Sequence, residues 1–150
     1  MFHSSRGIFA FFIVVLTSVQ AFTEVLADPV EPLELQKIMQ SMGKNMQLIT
    51  DGISREDWGL VEKTAPLIAN HPQPPIFEKM KIFAYINTDM GAFKSFDEKT
   101  HEAAKILGKT AASKDGHAII ADFATLQDTC LMCHERFRKP FRKYFYDIDE

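Results

Sequence analysis

The chain has only two cysteines among its 150 residues, and they lie three positions apart, at Cys130 and Cys133. Because both belong to one short motif, no cysteine is left for a disulfide framework, and a small disulfide-stapled fold is excluded. The sequence also lacks a Gly-rich phosphate-binding loop, and its Ser, His and Asp residues are scattered without a hydrolytic motif. These absences indicate a fold that depends on an ordinary hydrophobic core, for which this length is sufficient.

Patterns typical of β-strands are missing as well. No segment alternates apolar and polar residues with a period of two over a useful length. Apolar residues instead recur with helical spacing and predict four helices, over 32–51, from Ser54 to about 70, from about 95 to 112, and from 116 to about 146. Short breaks separate these segments, so we predict an all-α fold, an antiparallel four-helix bundle.

Local signals set the expected ends of the helices. Gly52 is expected to end the first helix, since glycine commonly follows a last helical turn. Ser54 is expected to cap the second helix, with an acidic residue three positions later as in a capping box. Pro66 and Pro140 are expected to kink or loosen the helices that contain them. Residues 76–94 are too apolar for a solvated linker, so an ordered connection that covers the core is expected there, with a turn near its end.

The N-terminus has the pattern of an export segment. An unbroken apolar run over 8–16 follows a short, positively charged start, and small residues then fit cleavage after Ala27 or, alternatively, Ala21. The run is shorter than the roughly 20 residues of a membrane-spanning helix, which disfavours an uncleaved anchor. We therefore expect a secretory signal peptide over 1–27 and a single domain over 28–150.

The net charge and its distribution along the chain indicate which kinds of partner the protein could bind. A net charge of −3 argues against a nucleic-acid partner, which would require a basic surface. Basic residues nevertheless cluster near the C-terminus, and they either dock a redox partner protein by electrostatic steering or complement a helix C-terminus and the solvent. The cluster comprises Arg136, Arg138, Lys139, Arg142 and Lys143.

The two cysteines belong to the stretch Cys130-Leu131-Met132-Cys133-His134, which is the attachment signature of a c-type haem. Two thiols add to the vinyl groups of one haem, and the neighbouring imidazole reaches the iron. On a helix these three side chains occupy positions i, i+3 and i+4 and therefore project from one side. We predict that Cys130 and Cys133 hold one covalent haem c and that His134 ligates its iron.

Other uses of a Cys-x-x-Cys motif are less favoured. A tetrahedral zinc site needs four ligands, but the chain has no third cysteine. Its other histidines, His3, His71, His101 and His117, form no second pair in the sequence. A thioredoxin-like dithiol would need a βαβ context, which the helical pattern does not offer. A local disulfide remains the alternative.

The position of this motif on the last of four helices resembles that in the cytochrome c-prime family, the class II c-type cytochromes. The stretch Glu135-Arg136-Phe137-Arg138 is similar to the segment that follows the haem histidine in that family. Residues 93–97, followed by Ala103-Ala104, are similar to the start of its third helix. The resemblance covers essentially all of 28–150 and implies a four-helix bundle with one haem c, located in the periplasm.

The resemblance also implies a choice for the second axial position. In one branch of the family a first-helix methionine ligates the iron and the protein carries electrons, and the family register gives that role to Met39. Met42 is the runner-up, and with Met46 the three methionines share one helical face, where they could equally fill the core. In the other branch the position is open and the iron binds NO or CO. His101 is expected on the exposed side of the third helix, so bis-histidine ligation is a minor option.

The remaining expectations also come from the resemblance. Arg138 lies one helical turn beyond His134, where the family can place a basic residue near the proximal pocket. It would tune the ligand field or meet a haem propionate, unless it is simply solvated. The expected role is that of an electron carrier and not an enzyme, with redox proteins as partners. A homodimer through the first two helices is left open.

Overall fold

The computed structural model describes residues 31–148, so the expected signal peptide over 1–27 and its cleavage positions lie outside the described residues. No strand occurs within 31–148, and no helix there is long and apolar enough to cross a membrane. The elements in chain order are α1 (Glu34–Ser54), α2 (Trp58–Ala69), α3 (Ile76–Ile86), a short 3-10 helix (Asn87–Asp89), α4 (Met90–Ser113) and α5 (Gly116–Tyr146).

Four of these helices form the bundle, which confirms the predicted fold class. Helix α1 packs on α2, α2 packs on α4, and α4 packs on α5. Their contacts enclose one hydrophobic core, and apolar side chains from all four helices are removed from water there. The largest fully buried members are Val61, Ile49, Ile68, Leu107, Ile119 and Leu126.

The bundle is packed at one end only, because α2 is much shorter than its neighbours. It has 12 residues, against 21 in α1, 24 in α4 and 31 in α5. Beyond Ala69 the other three helices continue without a fourth helix of the same length beside them. Helices α1 and α5 make few direct contacts with each other. This leaves space between α1, α4 and α5 at the end of the bundle that holds Cys130 and Cys133.

The expected boundary between the first two helices is wrong by several residues. Helix α1 continues through Gly52 to Ser54, and Asp57, not Ser54, caps α2 by accepting a hydrogen bond from the Leu60 N–H at 3.0 Å. Gly52 is buried because α2 turns back closely upon it. A Cβ atom at that position would lie 3.0 Å from Val61 Cγ2 and 3.2 Å from the Asp57 carbonyl oxygen. The glycine therefore serves interhelical packing and does not end the helix.

The segment 76–94 is more regular than the sequence predicts. It contains the 11-residue helix α3 and the 3-10 turn, and the following bundle helix begins at Met90, about one turn before the expected start. Helix α3 follows Pro75 and buries Ile82 and Ile86, which lie one turn apart on the same side. The segment is ordered, as expected, but it is a complete helix, and neither of its buried isoleucines belongs to the core cluster of the bundle.

Neither internal proline ends its helix. Helix α2 runs past Pro66 to Ala69, and α5 runs past Pro140 to Tyr146. The Pro66 ring lies against Gly108 of α4, where a Cβ atom would be 3.4 Å from the proline Cδ. The small residue on α4 leaves room for the ring, and packing outweighs the lost backbone hydrogen bond.

The N-terminus of α1 is held by side chains that are distant in the sequence. The Glu78 carboxylate of α3 accepts hydrogen bonds from the Glu34 and Leu35 N–H groups at 2.8 and 2.7 Å. The Leu33 N–H donates to the Tyr146 hydroxyl of α5 at 3.2 Å. A carboxylate at this position satisfies unpaired N–H groups and interacts favourably with the helix dipole. Helix α1 is thus fixed to both α3 and α5 where their direct packing is sparse.

Replacing Glu78 by Ala should lower the free energy of unfolding by about 1 kcal/mol, because two N–H groups of α1 lose their acceptor. Denaturant unfolding of the haem-containing protein, followed by far-UV circular dichroism, measures the change. Glu62→Ala, an exposed carboxylate on α2, is the matched control and should change stability by less than about 0.5 kcal/mol. Equal losses in the two variants would contradict the capping role.

Two glycines in α1 should respond oppositely to alanine. Gly52→Ala should destabilise the protein by about 1 to 2 kcal/mol, because its Cβ atom would crowd a stiff valine and a backbone carbonyl. Gly43→Ala should stabilise by up to about 1 kcal/mol, since no atom lies within 4 Å of that Cβ position and alanine favours the helix. Unfolding curves of both variants provide the test, and a stabilised Gly52→Ala would refute the close-packing argument.

Candidate functional site

A cavity of about 490 Å³ lies between α1, α4 and α5 at the loosely packed end of the bundle. Its size is in the range of cofactor-binding clefts. Helix α5 contributes Cys130, Cys133 and His134, so the three predicted attachment residues face a common space. Helix α1 contributes Met39 and Met42 to the same cavity.

The position of the motif follows from a continuous apolar stripe on α5. Ile119 and Leu126 are fully buried in the core, and the same helical face then carries the two cysteines. Thr129 marks the change from core to cavity. Its hydroxyl donates to the Leu126 carbonyl at 2.7 Å and lies 3.2 Å from the Thr100 hydroxyl of α4. This buried pair joins α4 and α5 directly beneath Cys130.

Both cysteines are free thiols in partly buried positions. Burial raises the pKa of Cys130, and burial together with the neighbouring thiol raises the pKa of Cys133 to about 11. The thiols are therefore protonated at neutral pH. A redox dithiol requires the opposite environment, in which a positive neighbour or a helix N-terminus lowers the pKa of one cysteine. The site accordingly differs from the dithiol alternative.

His134 lies at the exposed rim of the cavity. Partial desolvation, and then the positive charge of Arg138 one turn away, lower the pKa of the imidazole. The ring is consequently neutral at pH 7, which is the form that ligates a metal ion. Arg138 itself also lines the cavity.

The three methionines of α1 occupy different environments. Met39 lines the cavity and is 39% exposed, whereas Met42 lines it while packing against the core. Met46 packs against the core and does not line the cavity. The structure thus brings two of the three thioethers to the wall that faces the attachment motif.

Aromatic rings form much of the remaining wall. Phe93 and Phe96 of α4 contact Phe137 of α5 edge to face, with ring centroids 5.4 and 6.2 Å apart. Phe141, one turn further along α5, also lines the cavity. Helical spacing in the sequence places Phe137 and Phe141 on the inner side of this helix together with the cysteines, but it assigned no role to Tyr146. The 3–4-residue spacing that continues beyond His134 was the signal that could have identified Tyr146.

The basic cluster near the C-terminus is divided between the cavity and surface ion pairs. Arg138 and Arg142 line the cavity. Arg136 donates to Asp89 at 2.7 Å, and Lys143 donates to Asp147 at 2.9 Å. The cluster is therefore partly engaged within the protein, which weakens the interpretation of all five residues as one docking surface.

The donor set fits a covalently bound haem. Two protonated thiols and a neutral imidazole project from one turn of α5 into an apolar, aromatic-lined cavity, and two arginines lie at its wall. Cys130 and Cys133 would hold the haem, His134 would ligate its iron, and the arginines would meet negatively charged groups on its edge. His101 does not line this cavity, which removes the support for bis-histidine ligation.

These features define a class of protein, a helical bundle with a c-type haem motif on its last helix. A family model described as Cytochrome C' matches residues 34–138, which is more than half of the chain. The chain therefore belongs to the cytochrome c' family, as the resemblance predicted. Proteins of this family bind haem c covalently and are generally periplasmic. No curated protein and no solved structure matches the chain.

Covalent attachment can be tested by removing both thiols. The double variant Cys130→Ala, Cys133→Ala should lose its pigment completely to acidic acetone, because no thioether bond remains. Leu131→Ala, which alters an exposed residue between the two cysteines, should keep the pigment in the protein fraction as the unmodified chain does. Extraction of the pigment from the unmodified chain would contradict the assignment of Cys130 and Cys133.

Proposed function

We propose that the protein is a periplasmic carrier of single electrons in which His134 and Met39 are the two axial ligands of the haem iron. When bound, haem c supplies the redox chemistry by cycling between Fe(III) and Fe(II). The chain supplies the ligands, an apolar enclosure and charged groups at its edge. The imidazole of His134 on α5 and the thioether of Met39 on α1, which line the same cavity, would be the two ligands.

The observation that supports this proposal is that Met39 lines the same cavity as Cys130, Cys133 and His134. A thioether is a soft, neutral ligand, and methionine with histidine raises the reduction potential of a haem. Ligation of the iron by both Met39 and His134 in the two oxidation states would limit the rearrangement that accompanies electron transfer. Met42 is the alternative thioether, but it also packs against the core and has less freedom to move.

A second candidate function is the binding of NO or CO at an open axial position. Membership of the cytochrome c' family favours this function. In typical members that position carries no ligand and is shielded by an apolar side chain. In this case Met39 and Met42 would act as apolar wall residues, a role that methionine fills readily. The two functions differ in one ligand, so they predict different spectra for the same fold.

The partner of an electron carrier would be another redox protein. Arg138 and Arg142 at the cavity wall, with exposed Lys139 nearby, provide the positive charge that could steer a negatively charged partner towards the haem edge. A signal peptide over 1–27, cleaved after Ala27 or alternatively after Ala21, would direct export to the periplasm. A homodimer through α1 and α2 remains an additional proposal from the family resemblance.

Met39→Ala should convert a low-spin ferric spectrum with a sulfur-to-iron charge-transfer band into a high-spin spectrum. The reduced variant should then bind CO rapidly, because the axial position is free. Absorption spectra of both oxidation states measure the change. Met46→Ala is the matched control, since it removes a thioether from the same helical face but not from the cavity wall, and its spectrum should remain low-spin.

The other outcomes separate the alternatives. A low-spin spectrum that is lost in Met42→Ala but kept in Met39→Ala would assign the ligand to Met42. A high-spin spectrum in the unmodified protein, with rapid CO uptake after reduction, would overturn the proposed electron carrier and support gas binding. Reduction potentials of the three variants would report the same ligand change independently.

A further inference from the structure

We propose that His71, Asp97 and His101 form a second metal site, which binds one divalent transition-metal ion of the zinc type next to the haem cavity. His71 follows α2, and Asp97 and His101 lie one turn apart on α4. The three residues offer one ligand atom each, and these atoms lie within 4.8 Å of one another. His71 and His101 are 30 positions apart, so their pairing could not be read from the sequence.

The distances match the requirements of a small cation. His71 Nε2 and His101 Nε2 are 2.9 Å apart, and Asp97 Oδ1 lies 3.4 Å from the first and 3.5 Å from the second. A point equidistant from three atoms with these separations lies about 1.9 Å from each, close to the 2.0–2.2 Å of zinc–nitrogen and zinc–oxygen bonds. An ion slightly out of their plane would reach all three without rearrangement of the backbone.

His71 is oriented as a metal-ligating histidine is. Its Nδ1 lies 2.8 Å from the Pro72 carbonyl oxygen, which can only accept a hydrogen bond. Nδ1 therefore carries the proton, and in the neutral ring the lone pair is on Nε2, which points at the other two ligands. A hydrogen bond from the second ring nitrogen to a backbone carbonyl is the usual outer-sphere partner of a metal-bound imidazole.

The surroundings provide both enclosure and access. The His71 side chain is only 6% exposed, whereas Asp97 is 40% exposed, so the cluster is closed on one side and open on the other. His71 and Asp97 also line a second cavity of about 320 Å³, through which an ion and a water ligand can enter. Three protein ligands leave a fourth tetrahedral position for that water.

The ligand types decide the kind of ion. Two imidazoles and one carboxylate suit zinc, copper or nickel, whereas calcium and magnesium require mainly oxygen ligands. The competing explanation is a metal-free contact in which one imidazole donates its Nε2 proton to the other ring beside the carboxylate. The two rings are nearly perpendicular, at 80°, which is compatible with that contact as well.

Zinc titration of the haem-loaded protein, after treatment with a chelator, is the test. In this form the thiols and His134 are occupied by haem and do not compete for zinc. Isothermal titration calorimetry should show one zinc ion per chain. His101→Ala removes one of three ligands and should weaken binding by at least the roughly 10–100-fold that loss of an outer-sphere partner costs. Asp97→Asn, which keeps the side-chain shape, should weaken it as well.

The matched control is His117→Ala, which removes an exposed histidine at the start of α5 and should leave zinc affinity unchanged. Zinc should also raise the melting temperature of the unmodified protein and of His117→Ala, but not that of His101→Ala, because the ion would join α4 to the segment after α2. Absence of zinc binding, or an affinity that does not change in His101→Ala and Asp97→Asn, would overturn the proposal and leave only a shared-proton contact.

Discussion

The structure depends on one face of helix α5, which packs into the core along its first half and presents the haem motif along its second half. Its first half, through Ile119 and Leu126, is buried in the core, and its second half carries Cys130 and Cys133 into the cavity. Because both halves use the same spacing, packing of the first half determines the direction of the cysteines. The buried contact between Thr129 and Thr100 lies where the core ends and the cavity begins.

The cavity exists because the four helices have unequal lengths. Where α2 ends at Ala69, the close-packed core ends too, and the remaining helices cannot fill the space between them with side chains. A cavity with aromatic walls would lose stability in water, since apolar surface and missing packing contacts both cost free energy. A large flat cofactor recovers that loss, so the fold and the covalent attachment support each other.

The sequence predicted the features that are periodic or contiguous. The four bundle helices followed from apolar spacing, and the haem motif followed from five consecutive residues. Features that depend on contacts between distant segments were not predictable in the same way. The close approach of α2 to Gly52, the cap that Glu78 provides to α1, and the meeting of His71 with His101 each require knowledge of the tertiary structure.

Helix α3 shows the limit of helical periodicity. It buries only Ile82 and Ile86, and several of its apolar residues remain exposed, so its sequence lacks a clear division into two faces. Its boundaries depend on Pro75 before it and on Asn87 after it, where φ is 47°. Local sequence therefore indicated an ordered segment but did not distinguish a helix from an irregular connection.

The arrangement of α1 connects these observations to the second axial position. Its N-terminus is held by Glu78 and Tyr146, and its C-terminal half packs against α2 through Gly52 and Ile49. The part between these two anchors includes Met39 and Met42, which both line the cavity, although Met42 also packs against the core. The distance from this part to the haem motif is therefore set by the anchors and not by direct packing of α1 on α5. Small changes in the anchors would alter that distance, and with it the balance between a ligating thioether and an open position.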